Sequence, residues 1–128
     1  LGGHVYRMVV LRPRLDAAAR TAALAKVYGL LGGDYDFDFD FDDASYICCT
    51  EVIYRAFHGK GGIAFPLTKR MGIPTLSADD IIAYAQGQGV ACLDPVLFVD
   101  TVGRRRKKAE VLHQQDAKER LVAVMAGE

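Results

Sequence analysis

Three cysteines, Cys48, Cys49 and Cys92, are the thiols of this 128-residue chain, and two of them are neighbours in the run Cys48, Cys49, Thr50, Glu51 that opens an apolar helical pattern. A thiol in the first turn of a helix faces the positive end of the helix dipole, which favours the thiolate, the form that attacks a carbonyl carbon. Cys49 therefore has the position for nucleophilic acyl chemistry. The competing reading treats cysteine as a small buried hydrophobe. Cys48, turned about 100° from Cys49 on a helix, fits that second reading better, and Cys92, near Pro95, reads as structural. An odd count with one adjacent pair makes no disulfide framework and implies reduced thiols.

Other residues invite other chemistry and fail on spacing. Asp36, Asp38, Asp40 and Asp42 alternate with Phe37, Phe39 and Phe41, and acidic side chains at every second position begin helix-loop-helix calcium sites. A count from Asp40 places Glu51 twelfth, but the fifth position is Ala44 and the sixth is Ser45, where the turn needs glycine. Gly59, Lys60, Gly61 and Gly62 follow a helix and lack the strand-loop-helix setting of a phosphate cradle, so they read as a helix stop. The sequence thus assigns no metal and no cofactor. Arg104, Arg105, Arg106, Lys107 and Lys108 form one short basic run, which reads as a solvated segment.

These residues need elements to position them. Residues 5–11 are β-branched and aromatic and predict a strand ending at Pro13. Asp16 caps a predicted helix through Leu31, with Leu24, Val27, Tyr28 and Leu31 at helical spacing before Gly32 and Gly33. The strict alternation over residues 35–42 predicts a strand with the phenylalanines buried and the carboxylates wet. A second helix runs from the cysteines to His58, with Cys49, Val52, Ile53 and Ala56 on one side. A loop with Pro66 and Pro74 follows. Ser77 and Asp80 make a capping box for a helix through Tyr84, and residues 96–102 suggest a strand. After residue 104 the chain reads as a polar helix whose sparse apolar side is Val111, Leu112, Leu121, Val122 and Met125.

Sixteen basic residues balance sixteen acidic ones at a pI near 7.0, which argues against a nucleic-acid footprint. No apolar run reaches the roughly 18 residues of a membrane span. With 51% hydrophobic residues the chain can bury a core. It begins at Leu1, and reads as processed or as a piece of something longer.

The stretch Leu31, Gly32, Gly33, Asp34, Tyr35, Asp36, Phe37, Asp38, Phe39, followed closely by Tyr46, Ile47, Cys48, Cys49, Thr50, Glu51, Val52, resembles a strand and a helix of the YiiX/YebB-like cysteine hydrolases. Those are circularly permuted, NlpC-like members of the papain superfamily. The likeness covers residues 5–58 well, 72–82 weakly and the tail after Val102 not at all. Thr50 stands where the family commonly has serine, and one extra residue lies between the aspartate strand and the cysteine. The resemblance implies an α+β, papain-like fold, in which the helix bearing the cysteine packs on an antiparallel sheet containing residues 5–11 and 35–41. It implies a partial permuted hydrolase domain over residues 1–102, with residues 103–128 a basic helical tail.

It also implies that Cys49, followed by Thr50 and Glu51, is the catalytic nucleophile of a thiol-dependent hydrolase of amide or ester bonds. The substrate is then a small peptide of peptidoglycan type or an acyl lipid, and the location a bacterial cytoplasm or cell envelope. The family's catalytic histidine lies upstream of the strand aligned with residues 5–11, so the reading expects it before Leu1 and this chain inactive by itself. Local histidines do not substitute: His58 lies about 13.5 Å along the same helix, His113 belongs to the tail, and His4 does not match the family motif. The alternative from a different class is a non-catalytic binding or scaffold domain with Cys49 in its core.

Overall fold

The computed structural model describes residues 7–41, 45–101 and 109–127. Its backbone divides into two compact units, one made of the segments up to Pro13 and from Leu93 onward, the other of Arg14–Cys92. The described residues form a mixed α+β architecture. Val5 and Tyr6 of the expected first strand, His4, Asp42 and the basic run from Arg104 to Lys108 lie outside the described residues.

In the first unit, strand β1 (Arg7–Pro13) pairs antiparallel with a central strand of residues Leu93–Thr101, which pairs antiparallel with Ala109–His113. Pro95, which lacks an N–H, is tolerated in the central strand beside an irregularity where the register skips Val96. A helix over Gln114–Met125 packs on the central strand, with Phe98, Ala117 and Leu121 buried. Residues 109–113 are therefore a strand and not the start of a polar helix. The β-branched and leucine pair Val111 and Leu112 pairs with Val99 and Phe98, and a neighbouring strand overrides weak helical periodicity.

The second unit begins with helix α1 (Ala17–Gly29), whose N-cap Asp16 accepts the Ala19 N–H at 2.7 Å. Strand β2 (Asp34–Tyr35) pairs in parallel with β3 (Tyr46–Ile47), and helix α2 (Cys49–Phe57) follows and packs on α1. The expected single antiparallel sheet holding both residues 5–11 and 35–41 does not form, because β1 and β2 belong to different sheets. The stretch with Pro66 and Pro74 holds a small hairpin, β4 (Thr68–Arg70) with β5 (Ile73–Thr75). Met71 and Gly72 both take positive φ at its tip, the backbone of a tight hairpin turn.

The expected eight-residue strand over 35–42 ends after Tyr35. Asp36 Oδ1 accepts the Asp38 N–H at 2.8 Å, a local turn that competes with a sheet ladder for backbone donors. Phe39 then adopts φ 56°. The expected faces also break down: Asp36 is buried, Phe37 is 81% exposed, and of the three phenylalanines Phe41 alone is buried, while Asp38 is exposed as expected.

Helix α3 (Ala78–Gln86) starts as the sequence predicts. Ser77 Oγ accepts the Asp80 N–H at 3.1 Å and Asp80 Oδ2 accepts the Ser77 N–H at 2.8 Å. Tyr84 from this helix is buried against Phe65, and its hydroxyl accepts the Ala64 N–H at 2.9 Å. Ser77→Ala is expected to cost about 1 kcal/mol, the usual value of a hydroxyl N-cap, read as a lowered urea midpoint with an unchanged slope.

Candidate functional site

Cys48 is the N-cap of α2 and keeps extended backbone angles; Cys49 is the first helical residue. The two thiols part company there. Cys48 is 1% exposed whereas Cys49 is open to solvent. Cys49 was expected on the apolar side of the helix, and the scaffold alternative placed it in the core; it is exposed and not a core residue. Cys49 does share a side of the helix with Ile53 and Ala56, but at the first helical position that side opens to solvent, while Cys48, whose cap angles are not helical, is off the wheel and is the buried thiol.

Glu51 holds this helix start in place although its side chain is fully buried. Its Oε2 accepts the Cys48 N–H at 3.4 Å, and its Oε1 accepts Arg55 Nε at 2.6 Å. Arg55 also reaches the Phe41 carbonyl at 3.4 Å, tying α2 to the end of the aspartate segment. A buried carboxylate persists only when its oxygens are paired in this way. Thr50 Oγ1 lies 3.5 Å from Cys48 Sγ.

Cys49 and Thr50 form one edge of a cavity of about 970 Å³, whose other walls are the aspartate segment, including Asp36, Phe37 and Phe39, and the hairpin residue Arg70 with the approach to α3. That volume suits a ligand of modest size. Arg70 is engaged: its guanidinium bonds Asp80 at 2.9 Å and Thr75 Oγ1 at 2.9 Å. The hydrogen bond from Arg70 outweighs burial and, with the Ser77 backbone and hydroxyl, lowers the Asp80 carboxyl to about 2, while the same hydrogen bond to Asp80 raises Arg70. This ion pair therefore keeps both charges far into the acid range. Asp36, 5% exposed, keeps Oδ2 without a partner among the described residues.

The structure does not bring a histidine to this cavity among the described lining residues. His58 caps the far end of α2 and stacks on Tyr54 with ring centroids 4.4 Å apart. His113 ends its strand in the first unit and lines a separate cavity there of about 300 Å³. Cys92 is half-buried. Among the described residues, no three His, Cys, Asp or Glu side chains gather as a metal site requires, and no helix is long and apolar enough to cross a membrane.

Sequence reasoning missed three residues of this site. Glu51 stands three residues after the cap, the spacing of a capping-box acid, and four before Arg55, which is how a buried acid could have been found. Asp36 was hidden by the alternation, and Arg70 by the reading of residues around Pro74 as loop. No family model matches the chain, and no curated protein or solved structure matches it.

Proposed function

We infer that Cys49 is the nucleophile of a thiol-dependent acyl hydrolase of papain-like type, acting on amide or ester bonds in the cavity beside it. The observation that carries this reading is the exposed thiol at the first position of α2, lining a cavity of about 970 Å³. The thiolate attacks the carbonyl carbon, the bond to the leaving group breaks, and water then releases the acyl group from sulfur. The first N–H groups of a helix have no intrahelical acceptors and are natural donors to the oxyanion that forms. The resemblance of residues 31–39 and 46–52 to YiiX/YebB-like hydrolases supports the assignment and carries the substrate classes, peptides of peptidoglycan type or acyl lipids.

An activated ester tests acylation without requiring a proton donor for the leaving group. With p-nitrophenyl acetate, the Cys49 thiolate takes the acetyl group and p-nitrophenolate departs with its electron pair. A burst of p-nitrophenolate and an acetyl adduct mapped to Cys49 are expected. Cys49→Ser removes both and Cys48→Ala retains both. Iodoacetamide labelling across about pH 5 to 9 provides the companion measurement; labelling of Cys48 in preference to Cys49, or no burst from the wild-type chain, overturns the assignment.

A further inference from the structure

Asp36 shares the cavity of Cys49 and has a bonding need that the described chain does not meet. Its Oδ1 accepts the Asp38 N–H at 2.8 Å. Its Oδ2 is the buried side-chain oxygen left without a partner among the described residues. Buried carboxylate oxygens are ordinarily satisfied, and an unmet one in a cavity wall beside an exposed thiol points to a ligand that completes it. The completing group must donate a hydrogen bond, and a cationic donor pairs best with a carboxylate.

The rest of the wall agrees with a cation. Asp38 lines the same cavity, and the arginine of that wall, Arg70, is bound to Asp80. Phe37 and Phe39 also line it, each meeting Tyr35 edge-on, at centroid distances of 4.9 and 6.4 Å. Aromatic faces exposed beside an acid attract a cation through the ring quadrupole. A quaternary ammonium has the charge but no N–H for Oδ2, and a neutral amide has the N–H without the charge; a primary ammonium supplies both.

We propose that this cavity binds a substrate bearing a primary ammonium group, which donates to Asp36 Oδ2 in the wall that Phe37 and Phe39 also line and so presents the substrate's carbonyl to Cys49. The proposal deepens the hydrolase reading and rests on it. It makes Asp36 a specificity residue that touches substrate without taking part in bond breaking.

Methanethiosulfonates test it on the full chain. The Cys49 thiolate attacks the reagent's sulfenyl sulfur, a new S–S bond forms, and methanesulfinate leaves with the electron pair of the broken S–S bond. Rates at Cys49, taken as the part lost in Cys49→Ser and referenced to 2-mercaptoethanol, are compared for aminoethyl, trimethylammonioethyl and neutral methyl reagents. The aminoethyl reagent is expected to gain about tenfold over the methyl reagent, the equivalent of one charge-assisted hydrogen bond, and the trimethylammonioethyl reagent less. Asp36→Asn, which keeps an oxygen for the Asp38 N–H, is expected to remove most of that preference, and Asp116→Asn, at an exposed acid that does not line the cavity, to leave the ratio within about twofold.

A preference that survives Asp36→Asn, is lost equally in Asp116→Asn, or is as large for the trimethylammonioethyl reagent overturns the proposal. Calorimetry separates its failure from that of the hydrolase reading, because it does not use the thiol. Alanyl-alaninamide, with a free amine, is expected to bind the wild-type chain and not Asp36→Asn, and its N-acetyl form to bind neither. Binding of ethanolamine-headgroup vesicles in its place assigns the ammonium to a lipid. If neither amine-bearing probe binds, the ammonium site is overturned whatever the reactivity of Cys49.

Discussion

Arg55→Met is expected to destabilise the chain by about 3–5 kcal/mol, the usual cost of leaving a buried charge without its partner. Glu51 is fully buried while the Arg55 side chain keeps 23% exposure, so the two ends of this pair are not equivalent. Removing Arg55 strands a carboxylate in the interior and also releases the Phe41 carbonyl. Removing the charge from the other end, as in Glu51→Gln, leaves an arginine that can turn to water and an amide oxygen that can still accept the Cys48 N–H, and its cost is expected to be smaller, about 1–2 kcal/mol. The double variant is expected to cost less than the sum of the two, with a coupling of at least about 1 kcal/mol. Urea unfolding followed by circular dichroism reads all three. Equal costs at the two ends, or simple additivity, would show that Glu51 does not depend on Arg55. Because Glu51 also holds the N–H of Cys48, Arg55→Met is expected to expose Cys48 to iodoacetamide, a change at the thiol pair produced from nearly two turns further along α2.

What the sequence made legible followed from local chemistry. Asp16, Ser77 with Asp80, and the glycines after Phe57 mark helix ends by side-chain capping and by backbone freedom: α1 and α3 start at those caps and α2 stops just before those glycines, whereas α1 ends at Gly29 short of Leu31 and α3 runs past Tyr84 to Gln86. The exposed position of Cys49 at a helix start was half legible: the first turn was readable, but the direction of each thiol depends on which residue becomes the cap. The aspartate segment was misread because alternation in hydrophobicity is evidence for a strand only when the polar residues are content with water. Asp36 instead bonds the backbone two residues on, which bends the chain, sends Phe37 outward and buries the carboxylate. The strand over Ala109–His113 was hidden for the converse reason, since its pairing with Thr101 back to Leu97 comes from a neighbour and not from its own pattern. The candidate site therefore was readable at the helix start that carries Cys49 and unreadable at the aspartate segment.

The first unit carries the second large effect, at Asp100. This carboxylate is 2% exposed on the central strand and receives Arg7 Nε from β1 at 3.1 Å and Arg120 Nε from the C-terminal helix at 2.8 Å. One buried acid thereby joins three segments far apart in sequence. Burial alone would raise its carboxyl, but the hydrogen bonds from Arg120 and then Arg7, with their charges, outweigh that and hold it below the ordinary carboxylate value. A group whose folded value lies below its unfolded value binds protons more weakly in the folded chain. Its contribution is therefore complete above about pH 4, the unfolded carboxylate value, and fades as pH falls through the lower folded value. Asp100→Asn is expected to cost about 2–3 kcal/mol near pH 7, two charge-assisted bonds weakened, with the low end favoured because both arginines are partly exposed and can rehydrate. The sharper expectation concerns shape: urea stabilities of wild type and Asp100→Asn, measured from about pH 7 downward, converge below about pH 4 because the protonated acid and the amide make similar neutral bonds. Curves that stay parallel into acid would mean that the bridge acts through packing and not through charge.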